Sequence, residues 1–282
     1  MIKAIFEYNF LQNAVLASIL ASIVCGIIGV IIVEKKLVMM SGGIAHTAYG
    51  GVGFGYLMGF EPIIGAFIFS ACAAVGIGYI KRKGGVQSDI IIGLFWSLGM
   101  ALGIIFISLM PGYPPDLNSY LFGNILSVTK SDLYLMVVLT FIVVLVVILL
   151  YNDWKSYLFD EEFASIIGIK TVFLEYLLLI LIAMTIVVLI RVAGIIMVLA
   201  MLTAPAASAG LFSSKFKNRM VYAIIFGIIF CMAGLWISYV LNIASGATIV
   251  ILSVIFCFSL YIIHFVKEKV KMTKIAVNQE LE

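Results

Sequence analysis

FLQNAVLASILASIVCGIIGVIIV, residues 10–33, is a charge-free, largely apolar run that ends on Glu34-Lys35-Lys36. At about 1.5 Å rise per residue, a helix of this length spans the roughly 30 Å hydrocarbon core of a bilayer. The run is too long for the apolar region of a signal peptide, and no small-residue cleavage pattern follows it. It reads as a membrane span that stays in the chain.

The remainder has the same character. Of 282 residues, 64% are hydrophobic and 11% charged, and the mean hydropathy is +1.24. A soluble domain is about half apolar and about a quarter charged. The excess must face lipid, which predicts an all-α polytopic membrane protein with one transmembrane domain over 1–282 and a short tail from 267 onward. Spans of about 20 apolar residues are expected at Phe10–Val33, Met40–Met58, Ile63–Ile80, Ser88–Met110, Leu133–Tyr151, Thr171–Ile190, Val192–Leu211, Met220–Leu241 and Gly246–Val266. The second and seventh are the least hydropathic, being rich in Gly, Ala, Ser and Thr.

The cations fix the orientation. One set of loops holds Lys35, Lys36, Lys81, Arg82, Lys83, Lys155, Lys170, Lys215, Lys217, Arg219, Lys267, Lys269, Lys271 and Lys274; the other holds Lys3, Lys130 and Arg191. Fourteen of the 17 basic residues thus share one side. Basic loops stay cytoplasmic, so the amino terminus is expected outside and the carboxyl terminus inside. A miscount by one span would mix the two sets. Pro62, Pro111, Pro114 and Pro115 fall in outside loops. Pro205 alone lies within a span, where it frees a carbonyl and kinks the helix, as a packing feature or as part of a pathway. Arg191, at an outside span end, either repels cations or snorkels to the interface; snorkelling is the plainer reading.

Two connections carry structure of their own. Residues 111–130, PGYPPDLNSYLFGNILSVTK, begin as a turn-rich outside loop and continue into an amphipathic piece too short to span, placed to cap the outer mouth. Residues 152–170, NDWKSYLFDEEFASIIGIK, are cytoplasmic. There Asp160 can cap a short helix whose first turn suits Glu161 and Glu162. Phe163, Ile166 and Ile167 fall on one face, and Gly168 ends the helix. Such a helix lies on the membrane surface or docks a partner, and its acidic start argues against an anionic bilayer.

Several chemistries are missing. There is no G-x-x-x-x-G-K-[ST] phosphate loop, no G-x-S-x-G elbow and no H-E-x-x-H. Asp89, Asp132 and Glu175 sit near span ends rather than deep in the bilayer, which disfavours an intramembrane protease or a proton relay. Cys25, Cys72, Cys231 and Cys257 lie in four separate runs with no C-x-x-C pair and read as small core residues. No tightly bound cofactor and no nucleic-acid partner is expected.

One of only two histidines breaks the pattern. His46 stands in SGGIAHTAYGG, residues 41–51, about 15 Å from the last cytoplasmic cation, near the midplane. Its helical stripe, Gly42/Gly43, His46, Gly50, Gly53 and Leu57, is nearly all glycine, which permits close helix approach. The imidazole therefore faces protein or a cavity. It is either a histidine hydrogen-bonded across a tight interface or a functional group in the membrane. Imidazole suits Zn, Mn and Fe. Co-ligand candidates are Ser41, Thr47, Asn242 and carbonyls freed near Gly42, Gly43 and Pro205. His264 sits at the inner end of the last span and reads as interfacial.

These stretches resemble a known family. SGGIAHTAYGGVGFGYLMG is similar to the second-span signature of permease subunits of ABC importers for zinc, manganese and iron, the ABC-3 family. YLFGNILSVTKSDL, FDEEFASIIGI, GIIMVLAMLTAPAASA and SYVLNIASGATIVIL resemble its further segments in the right order, from about residue 37 to 260. The resemblance implies a type II ABC importer fold working as a homodimer in the cytoplasmic membrane by alternating access. Two separate ATPase subunits would use the ATP, and an extracellular or periplasmic metal-binding protein would deliver a divalent ion, zinc or manganese before iron. It implies that Asp160, Glu161, Phe163, Ala164 and Gly168 belong to the helix that couples to the ATPase, and that His46 matches a pathway histidine. Many members carry an aspartate four residues before that histidine, where this chain has Gly42. Other readings are a type II permease for a metal chelate and an ion-gradient-driven secondary transporter.

Overall fold

The computed structural model describes residues 7–83, 88–112, 118–123 and 125–280. Lys3, Pro114, Pro115, Asn124 and the last two residues of the tail lie outside the described residues. The fold is helical: α1 (Asn9–Glu34), α2 (Val38–Met58), α3 (Pro62–Lys83), α4 (Ser88–Ser108), α5 (Asn118–Phe122), α6 (Lys130–Leu149), α7 (Tyr151–Phe159), α8 (Glu161–Ile166), α9 (Thr171–Gly210), α10 (Phe216–Leu241) and α11 (Ser245–Glu280), with a 3-10 turn at Ile125–Ser127.

Among the described residues, 7 helices are long and apolar enough to cross a membrane: α1, α3, α4, α6, α9, α10 and α11. The nine expected spans map onto these with two differences. The stretch expected as the second span forms the 21-residue α2, but its glycines and small polar residues keep it below the others in hydropathy. The sixth and seventh expected spans form one 40-residue helical stretch, α9, broken at Gly194 (φ 73°, ψ 160°). The break falls three residues beyond Arg191, and the helix runs on through Pro205. Only glycine tolerates such a φ, and the surroundings leave no room for a side chain. A side chain at Gly194 would overlap the backbone of Gly123, itself at φ 66°, and one at Gly123 would overlap Ala193. A further departure concerns the tail, which is helical to Glu280 as an extension of α11.

Charges gather at the two ends of the bundle. At one end Lys35 bonds Glu161 (2.9 Å), Arg82 and Lys81 bond Glu175 (2.6 and 3.3 Å), and Arg219 pairs with Glu34. At the other, Arg191 bonds both Glu61 (3.0 Å) and Asp132 (3.1 Å). Arg191 therefore neither snorkels freely nor stands as a bare cation; it ties the α2–α3 turn to the start of α6. Asp132 is also fixed by a capping box with Thr129 at the start of α6. Helix α3 runs from the first residue after Glu61 to Lys81 and Arg82, so the ends lie about one 33 Å helix apart.

Helices α1 and α9 form the centre of the packing, their most apolar windows 72% buried. Alongside them α2 is held against α4 by glycine on both sides. A Cβ at Gly50 would lie 2.7 Å from the Gly99 carbonyl oxygen, and one at Gly53 2.7 Å from that of Gly103. Backbone oxygens cannot rotate away. Gly50→Val is therefore expected to destabilise the detergent-solubilised protein by more than the about 1–3 kcal/mol of ordinary overpacking, read as a lowered thermal midpoint. Gly93→Val on α4, with no atom within 4 Å of its added Cβ, is the control and should leave the midpoint almost unchanged. Equal shifts would contradict a backbone-tight α2–α4 contact.

Candidate functional site

His46 projects from the middle of α2. From Met40 to Gly53 it is the one residue that is not buried. Its ring lies nearly parallel to the Trp96 indole of α4, with centroids 4.0 Å apart and planes at 14°. Its Nδ1 is 3.3 Å from the Met100 sulfur, one turn further along α4. Both partners are themselves half-buried. The close approach of α2 to α4 sets these contacts, since a bulkier residue than glycine at positions 50, 53, 99 or 103 would separate the helices.

The expected co-ligands do not join His46. Ser41 is buried and donates to Val38 O (2.7 Å). The Thr47 hydroxyl lies 2.8 Å from Gly43 O and 3.1 Å from Phe95 O, and its proton satisfies one of them. Asn242 ends α10 in the left-handed region (φ 54°) and is exposed. Asn is among the few residues that adopt this conformation readily, so the turn accounts for it. Pro205 is buried within the second half of α9. Among the described residues, no three His, Cys, Asp or Glu side chains come together as a metal cluster. Sequence reasoning missed Trp96 and Met100. The signal that could have found them is the pair Gly99-x-x-x-Gly103, a small-residue face that marks α4 as the neighbour of the glycine stripe on α2.

A second candidate element lies at the basic end. The Asp160 carboxylate accepts from Phe163 N (3.0 Å), capping α8. Gly168 follows the helix at φ 89°. The cap, the helix and its glycine stop lie where the residue pattern places them. Phe159 (90% exposed), Phe163 (55%) and Ile166 (80%) point outward, while Ala164 is fully buried against the bundle. Ala164 thus serves as the packed foot of α8 and cannot touch an outside partner. Phe159 and Phe163 line a groove of about 980 Å³ together with Lys155, Lys215, Lys217 and Arg219.

Glu161 connects α8 to the bundle. It bonds Lys35 at the end of α1 (2.9 Å) and approaches Arg82 of α3 (3.8 Å), which also bonds the buried Glu175 at the start of α9. Lys35 Nζ sits 3.4 Å above the Tyr157 ring centroid. Burial, with the Glu161 and Glu175 carboxylates nearby, pushes the Tyr157 hydroxyl above its usual pKa, so it stays protonated there. Helix α8 is in this way tied to α1, α3 and α9.

The ABC 3 transport family matches residues 7–264. An uncharacterised membrane protein of Synechocystis sp. is 42% identical over 253 residues, 90% of each chain. The manganese transport system membrane protein MntC of Listeria monocytogenes is 37% identical over 257 residues, 91% of each chain. Among solved structures, PsaBC from Streptococcus pneumoniae in complex with Fab contains a chain that is similar with a TM-score of 0.84 at 32% identity, covering 92% of this chain and 94% of that one.

The two carboxylates of the basic cluster should respond differently to neutralisation. Glu175 is 5% exposed, and Glu175→Gln takes the carboxylate from Lys81 and leaves Arg82 only its 3.8 Å approach to Glu161, at a cost of about 1–3 kcal/mol. Glu161 is half exposed, and Glu161→Gln should cost at most about 1 kcal/mol. Chemical denaturation in detergent measures both; a larger loss for Glu161→Gln would contradict the assigned burial.

Proposed function

Because the chain belongs to the ABC 3 transport family, we propose that it is the membrane permease of a divalent-metal ABC importer, with the ion passing between two copies of the chain. The single observation that carries this reading is the setting of His46. A polar ring left partly uncovered in the middle of a membrane helix is costly against lipid, and it calls for either water or a second protomer. A passage between two copies supplies both. Manganese is the first candidate because relatives across nearly the whole chain are named for it; zinc competes because imidazole suits it well.

The rest of the assembly follows from this reading. Counting α2, and taking α9 as two crossings on either side of Gly194, gives nine crossings of the cytoplasmic membrane. The amino terminus lies outside and the carboxyl terminus inside, with Lys35, Arg82 and Arg219 cytoplasmic. The chain acts as one permease domain of the type II importer architecture and leaves ATP hydrolysis to two partner subunits. Phe159, Phe163 and Ile166 are the apolar contacts offered to them, and Glu161 transmits their movement. A metal-binding protein delivers the ion at the Arg191 end. Alternating access then opens the passage on one side at a time.

The test is uptake by vesicles carrying the permease, its ATPase and its delivery protein, with manganese, zinc and iron in competition. His46→Ala is expected to lower uptake at least about tenfold, the usual cost of disturbing a metal-ligating histidine, while ATPase activity and assembly persist. Unchanged uptake would remove His46 from the pathway. Separately, Ile166→Asp on the exposed face of α8 should abolish ATP-driven uptake without unfolding the permease; full uptake by that variant would contradict the docking assignment.

A further inference from the structure

Helix α4 holds the His46 imidazole on two sides, and each contact has a chemical consequence. The first is with Met100. A thioether carries no proton and only accepts. The 3.3 Å contact between Nδ1 and the Met100 sulfur is therefore a hydrogen bond only when Nδ1 bears the ring proton. The lone pair then lies on Nε2. In metal-binding histidines the partner of the other nitrogen selects the tautomer and the ring orientation in just this way.

The second contact is with Trp96. The indole stacks on the imidazole and also reaches back one turn along α2: a Cβ at Gly42 would meet Trp96 Cζ3 at 3.1 Å. The ring fills the space into which a side chain at position 42 would project. A side chain at position 42 would need the indole to give way by a few tenths of an ångström, so Trp96 crowds a carboxylate on that turn of α2. Among the described residues no group of three His, Cys, Asp or Glu side chains forms around His46.

We infer that Met100 and Trp96 determine the ligand character of the passage: Met100 presents His46 as an Nε2 donor, and Trp96 keeps the site free of carboxylate. This rests on the metal-permease reading above. The ion then meets a single uncharged nitrogen from each copy instead of an acidic cage. Imidazole nitrogen suits zinc and iron, whereas carboxylate oxygen suits manganese, magnesium and calcium. A site of this kind passes an ion without retaining it, and it gives manganese no advantage over zinc.

The chain has two histidines, so His264→Gln leaves His46 as the sole ring-nitrogen signal. The full-length variant, labelled with ¹⁵N-histidine in nanodiscs, is expected to show a proton coupled to Nδ1 and a bare Nε2, with Zn²⁺ shifting the Nε2 line. Met100→Leu, close in volume, should lose the Nδ1–H preference and bind zinc about tenfold more weakly. A proton on Nε2 in the parent protein, or a zinc-dependent shift at Nδ1, would overturn the part given to Met100. Gly42→Asp combined with Trp96→Ala should raise manganese uptake relative to zinc severalfold; an unchanged ratio would overturn the part given to Trp96. The tautomer is read without transport, so failure here is separable from failure of the permease reading.

Discussion

The contact of α2 with α4 is the constraint on which the functional geometry depends. Helices in lipid gain little from hydrophobic contact with each other, because the acyl chains are equally apolar, and close packing of small residues takes its place. Here glycine faces glycine at Gly50–Gly99 and Gly53–Gly103. The approach is close enough for the His46 ring to reach both the indole and the thioether of the neighbouring helix. Without it the imidazole would hang from a bare helix with no fixed orientation.

At the basic end the same economy of contacts joins a small helix to the large ones. Glu161 and Glu175 share Arg82, and Lys35 and Lys81 complete the set. Three spans therefore end on the side chains that anchor α8. The half-exposed Glu161 pairs add little stability; their use is to fix the position of the short helix α8 against the ends of the spans. The opposite end has a parallel arrangement, with Arg191 holding Glu61 and Asp132 beside the break in α9.

Much of this could be read in the sequence because it depends on local patterns. Apolar run length and the placement of lysine and arginine give the helices and the two charged ends. Asp160 and Gly168 give both limits of α8. The misplacements share a cause: a distant residue decides them. Pro205 follows the local rule for a broken helix, yet the break occurs at Gly194, where the backbone of Gly123 presses against it. Arg191 looks solitary beside its chain neighbours, but its partners lie 130 and 59 positions away. His46 was conspicuous at once, and its partners on α4 required knowing which helix packs against which.

The central claim is that the open side of His46 faces a second copy of the chain across the ion passage. It is tested most directly by cross-linking between protomers. Cys72 and Cys257, the two thiols not buried, are replaced by serine, and a cysteine is introduced at position 46. Native membranes are then treated with a short bis-thiosulfonate reagent. If the two copies meet at α2, the permease runs as a covalent dimer, and the same substitution at Ile255, on the exposed face of α11, leaves it monomeric. A dimer formed through position 255 and none through position 46 would place the protomer contact elsewhere and leave His46 outside the passage.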